Sequence, residues 1–344
     1  PMSEAVAVFG SSGYAGGELI RLIDGHPAFE IAYLGAHTAA GKTLGSVHPQ
    51  LRGGDRLLSG NDPAAMDDVD LAFLALPHGA SAEPAMALLE RGIAVVDIGS
   101  DFRLDSPDRY VDAYESDHPH PEELGRWPYG LPELFRSHIT GSDRAAVPGC
   151  YPTSAILPLA PVLAAGLVEP TGIIVDSLSG VSGAGRGVNA DLLFGVVDES
   201  AEAYNVLIHR HRPEIERALD HVGAAPTEVT FTPHLVPMQR GILTTIYARG
   251  VAGTTLADLR GALEKAYGDE PFVSLVEGSP ETRWVVGSNR ALISTHFDER
   301  TGTAVFISAI DNLLKGAAGQ AVQVANLMLG LDETAGLPLE GWMP

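Results

Sequence analysis

The first third of the chain sets short apolar runs between stretches of helical periodicity. Residues 5–9, Ala5-Val6-Ala7-Val8-Phe9, predict a buried strand that ends at a glycine-rich turn. Residues 18–23 carry apolar side chains at helical spacing and predict a helix that stops near Gly25-His26-Pro27. Residues 29–34, 69–76 and 93–98 predict three further strands, and residues 81–91 a helix between the last two. Strands alternating with helices imply an α/β fold, a Rossmann-type doubly wound parallel sheet, placed at residues 1–147.

The pattern changes after residue 147. Residues 173–178, 228–233, 242–248 and 303–308 alternate or are rich in β-branched side chains, which predicts a second, mixed or antiparallel sheet. Residues 256–267 predict a helix, and residues 316–329 a last one. The expectation is an α+β domain over 148–315, with residues from about 316 to 344 returning to the first domain. No repeat or low-complexity linker separates the two.

Composition narrows the class. A chain of 344 residues with 45% hydrophobic content fills two cores. No apolar run reaches bilayer length, and the start lacks the basic region of a secretory signal. One cysteine forms no internal disulfide, which fits a reducing cytoplasm. The formal charge of −22 opposes nucleic acid and anionic membranes as partners. It also means that an anionic substrate needs a local cluster of cations and N–H groups. No Cys/His set has metal-ligand spacing, so no metal is expected.

Four segments carry chemistry. The turn Gly10-Ser11-Ser12-Gly13-Tyr14-Ala15-Gly16 joins a predicted strand to a predicted helix. Glycines there let backbone N–H groups reach a pyrophosphate at a helix N-terminus; the bland alternative is an ordinary glycine-rich turn. The second strand ends without an acid at its tip, and Thr38 and Lys42 are placed to hold a 2′-phosphate, so the cofactor expected is NADP(H). Lys42 reads equally well as a solvated loop charge.

A lone cysteine is more often a small buried hydrophobe than a nucleophile. Cys150, however, lies in Pro148-Gly149-Cys150-Tyr151-Pro152-Thr153, just ahead of a helical apolar pattern, with Pro152 suited to the first helical position. A helix N-terminus favours the thiolate and offers N–H groups to an oxyanion. In His209-Arg210-His211-Arg212-Pro213-Glu214, the residues His211 and Glu214 share a helical face. They suit a base and the carboxylate that orients it, unless the segment is a surface loop. His118 and His120, in an acidic Pro-rich stretch, read as solvated. Ser182-Gly183-Ala184-Gly185 is a second small-residue turn, readable as a phosphate or nicotinamide loop or as a surface loop.

These motifs, together with Leu76-Pro77-His78-Gly79, Gly99-Ser100-Asp101-Phe102-Arg103-Leu104 and Asp311-Asn312-Leu313-Leu314-Lys315-Gly316, resemble the N-acetyl-gamma-glutamyl-phosphate reductases along essentially the whole chain. Ser154 departs from the family's smaller Gly or Ala. The resemblance implies a fold like that of the glyceraldehyde-phosphate and aspartate-semialdehyde dehydrogenases. It implies reduction of N-acetyl-L-glutamyl 5-phosphate by NADPH in arginine biosynthesis, with Cys150 as nucleophile and His211 as acid/base. It places Pro77, Ser182, Gly183 and Asn312 near the nicotinamide and implies a homo-oligomer, commonly a tetramer. Arg103, Arg186, Tyr204 and His209 are candidates for the substrate's carboxylate or phosphate, because guanidinium groups pair with such anions bidentately. The rivals are a reductase of a longer or carrier-linked acyl phosphate such as aminoadipyl phosphate, a cysteine acyltransferase or hydrolase, and a non-catalytic NADP sensor.

Overall fold

A computed structural model describes residues 3–343. The first apolar run is β1 (Glu4–Phe9), an inner strand of a five-stranded parallel sheet. Its partners β2 (Phe29–Gly35) and β3 (Leu71–Leu74), with β4 (Ala94–Asp97) and β5 (Arg144–Ala146) beyond β3, complete the order β2-β1-β3-β4-β5. The chain leaves β1 to one side for β2 and returns to the other for β3. Ligands of such sheets bind where the strand order reverses, beyond the carboxyl ends. Phe9, Ala72, Leu74, Leu88 and Trp127 fill one face of this sheet.

The helix of residues Tyr14–Ile23 turns Leu19, Ile20, Leu22 and Ile23 inward, the face that the spacing predicts. A helix also forms over Ala82–Glu90.

The second unit holds a seven-stranded mixed sheet in the order β10-β11-β12-β9-β6-β8-β7. Its strands are β6 (Ile173–Ser179), β7 (Glu202–Ala203), β8 (Val229–Leu235), β9 (Ile242–Arg249), β10 (Val273–Leu275), β11 (Ala291–Asp298) and β12 (Thr303–Ile310). Period-2 alternation is plain in β6, where Ile173 and Val175 are buried while Ile174 and Leu178 face outward. The inner face carries the Cys150–Ala164 helix, which packs on β9, β12 and the helices His211–Asp220 and Leu256–Tyr267.

The units do not divide at a single point. The first comprises the chain up to Pro107, Asp117–Pro148 and Ala317–Leu337. The second takes Asp108–Ser116, Gly149–Gly316 and the tail from Pro338. The tail anchors there because Trp342 N–H donates to Val286 O at 2.7 Å and Asn289 N–H to Pro338 O at 2.8 Å. The last helix begins later than its periodicity suggests, at Gly319, after a π-turn over Leu314–Ala318.

Candidate active site

The glycine turn closes on backbone contacts. Gly10 has φ 76°, and a Cβ there would lie 2.2 Å from Ala75 O, so only glycine fits. A Cβ on Gly16 would lie 2.3 Å from Gly10 O. The helix that follows has Gly13 as N-cap with no side-chain cap bond, which suits a backbone cradle for an anion. Ser12, Tyr14 and Ala15 are at least partly exposed along it.

Ser11 behaves differently from its expected role as a cofactor contact. It is buried, and its hydroxyl donates to Gly35 O at 2.7 Å, tying the turn to β2. Two supports were not foreseen from the motif. Asn61 Oδ1 accepts from Gly10 N–H at 3.3 Å, and His48 Nε2 lies 3.0 Å from Ser11 O. Thr38 and Lys42 are exposed in the segment after β2, and Pro77 is exposed after β3.

The helix at the candidate nucleophile starts two residues earlier than expected. Gly149 is the N-cap, Cys150 is the first helical residue, and Pro152 is the third. Pro152 costs no hydrogen bond there, because the first N–H groups of a helix have no partner within it. Cys150 is half-buried and outside any disulfide. Glu214 is fully buried, and its Oε1 accepts from Gly149 N–H at 2.8 Å. The carboxylate that the sequence assigns to orienting His211 therefore also holds the backbone at the nucleophile.

His211 opens its helix, one turn before Glu214. Its ring meets Tyr151 edge-on at 5.9 Å between centroids, so the neighbour of the nucleophile touches the candidate base. Tyr151 and Tyr204 share a hydroxyl hydrogen bond of 2.9 Å. Burial pushes the Tyr204 phenol up to about 12 and raises that of Tyr151 further, so both stay neutral hydrogen-bonding groups.

His209 does not supply the cation expected for an anionic substrate. Burial, reinforced by Arg210, lowers it to about 4, and its Nδ1 accepts from His211 N–H at 3.1 Å. A neutral ring with its proton on Nε2 is what this contact requires. Arg103 spends its Nε on Val147 O at 2.9 Å and Nη2 on Ile98 O at 2.8 Å, stapling the ends of β4 and β5. Arg186 is exposed in the stretch after Val181–Ala184.

Asn312 is buried and joins two segments. Its Oδ1 accepts from Gly241 N–H at 2.7 Å and its Nδ2 donates to Ser182 Oγ at 3.0 Å, which fixes the Ser182-Gly183 loop. Ser154 sits in a buried hydroxyl chain. It lies 2.7 Å from Thr244 Oγ1, which lies 2.8 Å from Ser177 Oγ. This ties the Cys150 helix to the sheet, a bond that Gly or Ala cannot make.

The first unit holds a buried acid pair beyond β4. Burial of Asp97, helped by the charge of Asp101, pushes its carboxyl up to about 7. Burial also pushes Asp101 up, but hydrogen bonds from His78, Gly79 and Ser81 outweigh it and bring Asp101 down to about 2. Asp101 accepts from the N–H groups of Gly79, Ser81 and Ala82 at 2.7, 3.0 and 3.0 Å, so it caps the 82–90 helix. His118 is buried rather than solvated, edge-on to Phe102 at 5.2 Å, while His120 reaches Glu83.

Relatives bear on this arrangement. Residues 5–142 match the family described as semialdehyde dehydrogenase, NAD binding domain, and residues 150–312 that described as semialdehyde dehydrogenase, dimerisation domain. A protein of Arthrobacter sp. (strain FB24) named N-acetyl-gamma-glutamyl-phosphate reductase is 48% identical over 100% of both chains. One of the same name from Moorella thermoacetica is 45% identical over 98% of this chain and 99% of its own. Among solved structures, aspartate semialdehyde dehydrogenase II from Vibrio cholerae, complexed with ASA, has a TM-score of 0.72 at 20% identity, covering 96% of this chain and 99% of that one. The Candida albicans aspartate semialdehyde dehydrogenase with NADP has a TM-score of 0.70 at 16% identity, over 95% and 98%. At these identities the solved structures share the fold.

Proposed function

The chain belongs to the N-acetyl-gamma-glutamyl-phosphate reductases, and from that premise we propose how its residues carry out the reaction. The enzyme reduces N-acetyl-L-glutamyl 5-phosphate to N-acetyl-L-glutamate 5-semialdehyde and phosphate, a step of arginine biosynthesis. The observation that carries the mechanism is Cys150 at the first position of a 15-residue helix, on a turn held by Glu214.

The helix N-terminus favours the Cys150 thiolate. Sγ attacks the acyl carbon, and the C–O bond to phosphate breaks to leave a thioester. Several N–H groups of the turn are already committed. Gly149 N–H is taken by Glu214, Pro152 has none, and Thr153 N–H bonds Gly149 O at 3.0 Å. We assign the oxyanion to the N–H groups at the start of the Cys150 helix, where backbone donors converge. When bound, the reduced nicotinamide supplies the hydride that reduces the thioester. Protonated His211 lends its proton to the oxyanion left on the Cys150 thiohemiacetal and takes it back as the C–S bond breaks, freeing the aldehyde and the thiolate. Glu214 orients His211 as well as the turn. Tyr204 and neutral His209 offer hydrogen bonds to the substrate, and exposed Arg186 is the guanidinium group for an anionic end, whereas Arg103 is held by Val147 O and Ile98 O.

Gly10, Ser12, Gly13, Tyr14 and Ala15 form the dinucleotide cradle, and the glycine-only approach at Gly10 and Gly16 fits a pyrophosphate there. Exposed Thr38 and Lys42, with no acid beside them, support NADP(H) over NAD(H). Pro77, Ser182, Gly183 and Asn312 serve the nicotinamide end.

A second copy of the chain is proposed to cover the outer sheet face, where Ile174, Leu178 and Tyr247 are 43%, 36% and 40% exposed. The match to a dimerisation domain supports this, and the family's habit extends it to a tetramer. Among the described residues no helix is long and apolar enough to cross a membrane, and the reactive thiol suits a reducing cytoplasm.

The test follows NADPH oxidation with acetylglutamyl phosphate, or NADP reduction with the semialdehyde and phosphate. Wild-type protein turns over and Cys150→Ser does not. Turnover on aminoadipyl phosphate alone would replace the substrate, and a fully active Cys150→Ser would end the covalent scheme.

A further inference from the structure

The π-turn Leu314–Ala318 lies against the nucleophile. A Cβ built on Gly316 would sit 2.7 Å from Cys150 Cβ, closer than a Cβ comes to a non-bonded neighbour, and 3.2 Å from Cys150 Cα, a tight contact. Bare backbone therefore touches the flank of Cys150. The turn is itself held in place. Gly316 N–H donates to Asp311 O at 3.0 Å, the five-residue step that makes the turn π rather than α. Asp311 is fully buried. Its Oδ1 accepts from Leu313 and Leu314 N–H at 2.8 and 3.2 Å, and its Oδ2 from Gly287 N–H at 2.8 Å. Arg240 Nε adds an ion pair at 3.1 Å.

From this contact we infer that Gly316 is a positioning residue for Cys150: the π-turn, pinned by Asp311, closes one flank of the nucleophile and restricts where its Sγ points. A cysteine at the start of a helix has a solvent-facing side chain and several open rotamers. Glu214 acts on the backbone ahead of Cys150, through Gly149 N–H. The Gly316 contact acts on the Cα–Cβ bond itself, about which χ1 turns. An added methyl displaces Cys150 rather than a flexible neighbour, because the nearest atoms are Cys150's own. Misplacement of a reacting atom by about 1 Å costs about a hundred-fold in rate.

This inference rests on the reading of Cys150 as the nucleophile, and its test does not need the reductase reaction. Cys150 is the chain's one cysteine, so alkylation by iodoacetamide reports that thiol alone. In Gly316→Ala, kcat is expected to fall about a hundred-fold with the KM for NADPH unchanged. The alkylation rate of the folded variant is expected to change by about ten-fold or more. A folded Gly316→Ala with wild-type kcat and alkylation rate overturns the inference. If Gly316→Ala does not fold, the double variant Cys150→Gly/Gly316→Ala decides, since it removes the nearest clashing atom. Recovery of a cooperative thermal transition there supports direct contact, and failure to recover overturns it. A fully active Cys150→Ser would instead remove the nucleophile reading and leave the contact to be judged by the double variant.

Discussion

The turn after β1 and the turn before the Cys150 helix are built to the same plan and held by different means. Both end at a glycine N-cap without a side-chain cap, Gly13 in one and Gly149 in the other, so both present backbone N–H groups. The first closes partly on itself. Gly10 and Gly16 approach each other within the motif, and Gly35, Asn61 and Ala75 of the same unit complete it. The second depends on residues far away in sequence, Glu214 and Gly316. A binding cradle tolerates local closure because a pyrophosphate has several oxygens to share. A nucleophile has one atom to aim, and aiming needs support from more than one direction.

The largest expected effect breaks the second turn alone. Glu214→Ala leaves Gly149 N–H buried without its acceptor, so kcat should fall about a hundred-fold and stability by about 1–3 kcal/mol. NADPH affinity should hold. Glu214→Gln can still accept that N–H. If it recovers most of the rate, tethering dominates. If it is as poor as Ala, the charge presented to His211 dominates instead.

The next effect breaks the first turn. In Gly16→Ala the new Cβ meets Gly10 O at 2.3 Å, whereas in Gly13→Ala the nearest atom is 3.5 Å away. Gly16→Ala should therefore lose NADPH binding and about 1–3 kcal/mol of stability, and Gly13→Ala should fold normally. Fluorescence titration and thermal melts separate the two. Iodoacetamide should label Cys150 at the wild-type rate in folded Gly13→Ala, since the nucleophile turn does not rest on this one. Slowed labelling there would undo the contrast.

The smallest effect concerns the acid pair behind the first sheet. The ordinary aspartate value is 3.8, and folded Asp97 lies at about 7, so the folded state holds that proton more tightly. Its contribution to stability is complete below about 3.8 and is lost as pH rises through about 7. Asp101, lowered to about 2, has the opposite sign, with a contribution present above 3.8 and lost as pH falls through about 2. Melting temperatures of Asp97→Asn should decline less than wild type between pH 4 and 7.5. Parallel curves would show that Asp97 does not titrate there.

Local signals were legible where one segment decides its own structure. The helix Leu256–Tyr267 matches its periodicity residue for residue, because Thr255 and Asp258 form a capping box that marks its start. The glycine turn was readable because Gly10 and Gly16 stand within one short motif behind a strand, although Gly35, Asn61 and Ala75 complete its closure. Strand β11 was missed, although its pairing with β12 spans all eight of its residues. The last helix was placed too early, because the Asp311 side chain takes the N–H groups of Leu313 and Leu314 and shifts the next bond to π spacing. His118 was read as solvated from its acidic neighbours, yet Phe102 buries it.

The sequence by itself determined the two kinds of sheet and the glycine-rich turn between β1 and its helix, and it singled out Cys150 and His211 as candidates, since each is written in contiguous residues whose period or spacing has a local physical meaning. The tertiary structure alone decided that Glu214 holds Gly149, that His209 is neutral, that Ser11 turns inward and that Gly316 lies on Cys150. Each of those depends on burial or on a contact between segments distant in the chain, and neither burial nor distance in space is encoded at any single position.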